Sequence, residues 1–118
     1  MQTLKNLKMN NETYALRSKV MELIYEAKAL VPSLPRITLR ITENSDRVNG
    51  VAQLNDNLIW IPANSPRRSK DQLRRTVFHG ILHAAYGVEH VASCKLMGSV
   101  YTDITKSEAE KLFKKYAR

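Results

Sequence analysis

The chain has 118 residues, 43% hydrophobic and 25% charged, and its 19 basic against 11 acidic side chains give a formal charge of +8. That length holds one domain with enough core to fold without cross-links, and the single cysteine, Cys94, cannot close an intramolecular disulfide, which excludes an extracellular disulfide scaffold. No apolar run approaches the roughly 18 residues of a membrane span, and Met1 to Lys5 leads into no apolar signal core, so a cytoplasmic monomer without membrane association is expected, its charge favouring an acidic partner such as nucleic acid.

Residues 1–10 read as a flexible arm and 11–118 as the domain. Asn10 and Asn11 are caps for a first helix, in which Leu16, Val20, Leu23, Ile24, Ala27 and Leu30 recur at helical spacing until Pro32 and Pro35 forbid continuation. Ile37 to Thr42 alternates apolar and polar residues, the period of a strand with one wet face. Two short strands follow, Val51 to Leu54 and Leu58 to Ile61, around the turn-forming Asn55-Asp56-Asn57. The second is apolar throughout, which predicts a strand buried on both faces with Trp60 in the core.

Ser69-Lys70-Asp71-Gln72 is a capping box opening a helix that runs to about Tyr86, where Gly87 can take the left-handed conformation that closes it. Residues 91–104 look irregular. Thr105-Lys106-Ser107-Glu108 opens a last helix with an apolar stripe of Ala109, Leu112, Phe113 and Tyr116.

All three histidines fall within twelve residues, at His79, His83 and His90. His79 and His83 are i and i+4 on the predicted helix and point within about 40° of each other, opposite a core stripe of Leu73, Val77, Ile81 and Ala84. A chain reversal at Gly87 brings His90 back as a third ligand and leaves an open coordination position, the pattern of a catalytic zinc. Iron, cobalt or nickel could use the same imidazoles, and Glu89 and Cys94 are rival ligands.

This segment resembles the metzincin zinc peptidases, the minimal matrixin-like core in particular, whose pattern is His-Glu-x-x-His-x-x-Gly-x-x-His. Leu96-Met97-Gly98 follows at about the distance of that family's Met-turn, and a tyrosine, a capping box and a short helix come after it. The resemblance implies an α+β, zincin-like single domain with a backing helix, a small mixed sheet, a metal-binding helix, a Met-turn at Met97 and a C-terminal helix. It also implies Zn2+ on His79, His83 and His90, and a peptide or protein substrate along an edge strand of Val51, Ala52, Gln53 and Leu54. Tyr101 takes the place of a tyrosine that assists the tetrahedral intermediate in some members, although it stands farther from the methionine.

Two departures stand out. One extra residue separates His83 from Gly87, so Glu89 occupies the strict third-ligand position, while His90 keeps the spacing from the glycine. The family's general-base glutamate is here Gly80, which has no side chain to accept a proton. A zinc-binding pseudoenzyme, a silenced peptidase and a different zinc hydrolase all accommodate that glycine. The third has a concrete form, because His79-Gly80-Ile81-Leu82-His83 is also similar to the first half of the motif of bacterial rRNA-maturation zinc endonucleases. That second resemblance implies single-stranded RNA as substrate. In keeping with it, Arg67, Arg68, Lys70, Arg74 and Arg75 cluster at the start of the metal helix as possible phosphate contacts.

Overall fold

The computed structural model describes residues 11–42, 51–52, 56–63 and 69–117. The predicted arm at 1–10 lies outside them, as do Gln53, Leu54, Arg67 and Arg68. The order of elements is α1 (Asn11–Leu30), β1 (Thr38–Thr42), β2 (Val51–Ala52), β3 (Leu58–Pro62), α2 (Lys70–Tyr86) and α3 (Lys106–Tyr116). The class is mixed α+β, and no described helix is long and apolar enough to cross a membrane.

The three strands form one mixed sheet in the order β1-β3-β2, with β3 parallel to β1 and antiparallel to β2. Leu39 pairs in register with Ile59 and Ile41 with Ile61, and all four are buried. Arg40 pairs with Trp60 on the opposite face, where both are only half-buried. The expectation that β3 is buried on both faces with Trp60 in the core is therefore corrected: burial alternates along the strand. The reason is the pleat, which sends alternate side chains to a face that the core does not cover.

Helix α2 is the hub, packing on α1, α3, β2 and β3. Its predicted stripe of Leu73, Val77, Ile81 and Ala84 is buried, and Phe78 and Leu82 are fully buried as well, because α3 covers a second flank. There the rings of Phe78 and Phe113 lie 4.7 Å apart at 44°. Both capping boxes form: Gln72 N–H donates to Ser69 Oγ at 3.2 Å, and Glu108 N–H donates to Thr105 Oγ1 at 3.2 Å. At the other end of α2, Asn57 N–H donates to Ala84 O at 2.9 Å, so the entry to β3 satisfies a carbonyl of the last helical turn. Asn57 makes that contact at φ 50°, a left-handed conformation asparagine tolerates better than most residues.

Truncating the α2–α3 contact tests this packing. Phe113→Ala should lower the unfolding free energy by about 3–5 kcal/mol, because a fully buried ring leaves a cavity. Exposed Lys114→Ala should stay within about 0.5 kcal/mol of the parent in the same denaturant titration.

Candidate metal centre

Two imidazoles leave α2 on one side, and each has its ring fixed by a main-chain carbonyl. His79 Nδ1 lies 2.8 Å from Leu96 O, and His83 Nδ1 lies 2.5 Å from Val88 O. A carbonyl oxygen only accepts, so both Nδ1 atoms carry the hydrogen. In the neutral rings both Nε2 atoms then present lone pairs, and these face each other across 2.9 Å. Two lone pairs at that separation repel unless a cation lies between them.

The second carbonyl is a product of the helix end. Gly87 sits at φ 63°, ψ 24° and its N–H returns to His83 O, while Val88 N–H reaches Leu82 O. That reversal aims Val88 O back at the His83 ring. It also delivers His90, whose ring centroid lies 5.2 Å from that of His79 and 4.9 Å from that of His83. One nitrogen from each of His79, His83 and His90 lies within 4.8 Å of the others, so the three can hold a metal ion. Glu89 and Cys94 fall outside this group among the described residues. The extra residue before Gly87 is absorbed as helix, which runs to Tyr86.

The first carbonyl belongs to the irregular segment after His90, which is folded tightly on itself. Val91 N–H donates to Met97 O at 2.9 Å, Gly98 N–H to Cys94 O at 2.8 Å, and Met97 N–H to Cys94 Sγ at 3.3 Å. Leu96 and Met97 are fully buried. A Cβ on Gly98 would stand 2.7 Å from Cys94 O, an approach that requires glycine.

Arg75 ties this loop to α2. Its Nε donates to Lys95 O at 3.2 Å and its Nη2 to Gly98 O at 3.0 Å and Val100 O at 3.2 Å, with the guanidinium 5.3 Å from the Tyr101 ring centre. Three carbonyls flanking Leu96 are thus held by one side chain, which sets where the acceptor for His79 stands. Tyr101 is placed against Arg75, in the packing of the loop.

The reading of Arg74 and Arg75 as phosphate contacts is corrected, since both are buried, at 3% and 5% exposure. Arg74 donates from Nε and Nη2 to the two Glu26 oxygens, at 2.6 and 3.2 Å, and from Nη1 to Asp71. Its charge is spent on joining α1 to α2. Lys70 is exposed and stands 3.6 Å from Glu22. Gly80 is half-buried on α2, and β2 lies at an edge of the sheet.

Burial pushes the His79 pKa down to about 4, with the positive charges of Arg75 and the neighbouring histidines adding to it and the Leu96 hydrogen bond opposing it. Burial lowers that of His83 in the same way, against the pull of Val88 O. The geometry and the electrostatics agree: the rings are held neutral, the state in which imidazole ligates metal. Compared with protein-family models, curated proteins and solved structures, the chain matches none.

Two outcomes are expected. In zinc titrations against a chromophoric chelator, His90→Ala should weaken binding by more than about a hundredfold, and Arg75→Lys by about tenfold through the displaced loop, as for the losses when outer-shell partners change. Glu89→Ala should be nearly silent, and equal losses at Glu89 and His90 would overturn the ligand assignment. Separately, because the folded His79 pKa is depressed from an unfolded value near 6.5, the unfolded chain binds the extra proton between the two values. The metal-free protein should have this contribution in full above about pH 6.5 and lose it as pH falls toward 4, seen as a melting temperature that falls over that interval.

Proposed function

We propose that the chain is a zinc-binding, metallopeptidase-like protein of zincin type, with His79, His83 and His90 as ligands and a general-base position emptied by Gly80. The observation that carries this reading is the pair of Nε2 lone pairs at 2.9 Å, each locked by a carbonyl on its Nδ1, with His90 beside them. Three neutral imidazoles suit zinc better than the hard cations, and backbone carbonyls on the second nitrogens are the usual support of such ligands. Bound zinc would supply Lewis-acid polarisation of a carbonyl.

The rest of the proposed machinery is the chain's own. Strand β2, antiparallel to β3 at the sheet edge, offers main-chain groups on which an extended peptide can align, the role proposed for Val51 and Ala52. The buried Met97 loop holds His79 in orientation through Leu96 O. What is missing is a proton carrier one residue beyond His79, so the proposed protein binds zinc and peptide and hydrolyses peptide poorly. General acid–base catalysis typically contributes about 10²–10⁴-fold, which is the size of the deficit.

A second reading, a zinc-dependent single-strand RNA endonuclease, draws on the His-Gly-x-Leu-His segment and the +8 charge. Substituting Gly80→Glu separates them. On the peptidase reading the variant gains hydrolysis of an unstructured peptide by about 10²–10⁴-fold. The helix is also stabilised, since glycine in a helix interior costs about 0.5–1 kcal/mol. Zinc-dependent RNA cleavage by the parent chain, with no peptidase gain in Gly80→Glu, would reject the peptidase reading. Retained zinc and peptide binding without hydrolysis in either form would leave a binding protein.

A further inference from the structure

Helix α1 gathers two basic side chains on one flank and two acidic ones on another, where Lys19 also lies. Glu22 and Glu26 face α2, where they meet Lys70 and Arg74. The other flank presents Arg17 and Lys28, eleven residues apart, and alongside them Tyr14 and Tyr25, also eleven residues apart. Eleven residues are about three helical turns, so each pair lines up along one side of the helix. Tyr14 is 57% exposed and Tyr25 66%, unusual for large rings.

This flank borders a groove of about 430 Å³ between α1 and β1, remote in composition from the histidine cluster and sharing no residue with it. Its floor includes Met21 and Ile24, its rim has Arg17, Tyr25, Lys28 and Arg36, and among the described residues no acidic side chain lines it. Lys28 Nζ donates to Leu34 O at 2.7 Å, which fixes one cation at the mouth and leaves its other hydrogens for a ligand. An apolar trough with an exposed aromatic ring and cations of one sign along it has the two elements that single strands need: a face on which a base stacks and charges that follow the phosphates.

We propose that this groove is a binding site for single-stranded nucleic acid, with Tyr25 stacking a base and Arg17, Lys28 and Arg36 contacting backbone phosphates. The exposed ring favours a nucleic acid over an acidic peptide, which would use the cations but gain little from a stacking face. The site is independent of the chemistry assigned to the metal centre, and holds whether that centre cuts peptide, RNA or nothing.

Fluorescence anisotropy on the zinc-loaded full chain with a labelled oligodeoxythymidine tests it, a ligand without the 2′-hydroxyl that an RNA-cleaving centre would use. Binding should weaken as salt rises from about 50 to 200 mM. Tyr25→Ala should weaken it about tenfold, the loss of one stacked base, and Tyr25→Phe should keep parental affinity. The triple variant Arg17→Gln, Lys28→Gln, Arg36→Gln should lower the salt slope by about 2, at about 0.7 for each phosphate no longer neutralised. All substituted side chains are exposed at the groove rim, and circular dichroism and zinc content establish that each variant is folded. No binding by the parent chain overturns the proposal, as does binding that Tyr25→Ala and the triple variant leave unchanged. If a polyglutamate peptide displaces the oligonucleotide and Tyr25→Ala is silent, the groove takes acidic peptide and the proposal also fails.

Discussion

The hydrogen bond from His79 to the Leu96 carbonyl is the constraint on which the centre rests. An imidazole on an exposed helix face rotates freely, and a metal that bound it would have to order it first, at a cost in side-chain entropy. Donation from Nδ1 removes that freedom and leaves Nε2 as the only ligating atom. The same bond makes an irregular loop part of the site, because a main-chain carbonyl is only as well placed as the segment that carries it. Arg75 supplies the placement: its three carbonyl acceptors at residues 95, 98 and 100 bracket Leu96. A single hydrogen bond contributes only about 0.5–1.5 kcal/mol net, so a loop of this kind needs several converging on one donor group.

Arg74 and Arg75 show how adjacent cations on one helix take opposite tasks. They point to different sides of α2, one into the carboxylates of Glu26 and Asp71, the other into main-chain oxygens. Guanidinium suits both, since its planar fork satisfies several acceptors at once, and each buried charge then has the partners it requires. Helix α2 is thereby held from α1 on one flank and from the metal loop on another, with Asn57 closing its C-terminal turn. The helix that bears two of the three histidines has little freedom left to shift, which is what a preformed ligand set requires.

Much of this is legible in the sequence because it is written in local chemistry. Ser69 with Gln72 and Thr105 with Glu108 announce helix starts, Gly87 announces a left-handed end, and the four-residue step from His79 to His83 needs only helical geometry. The sequence favours His90 over Glu89 because its distance from Gly87 sets the turn, and the rings do converge there. Within the basic cluster, Arg74 and Arg75 mislead for a physical reason: they look like part of a solvated face until their acceptors are known, and Glu26 and the carbonyls of residues 95, 98 and 100 are distant in sequence. Leu96 leaves no signal at all, since its role is played by an oxygen every residue has. Burial on both faces of β3 follows from composition alone, whereas Trp60 and Leu58 stand on the less covered side of a three-stranded sheet.

The separation between holding a metal and doing chemistry follows from where these supports sit. None of the groups that orient His79 and His83 is the side chain at position 80: they are Leu96 O, Val88 O, the Gly87 turn and Arg75. On the proposed reading, glycine in place of a carboxylate at position 80 therefore removes a proton carrier without loosening a ligand. It adds a helix-propensity penalty of about 0.5–1 kcal/mol, small beside the buried contacts of Val77, Phe78, Ile81 and Leu82 that hold α2 in place. On the proposed reading, metal binding and peptide alignment survive as properties of the fold, and hydrolysis is the one property that hangs on a single missing side chain.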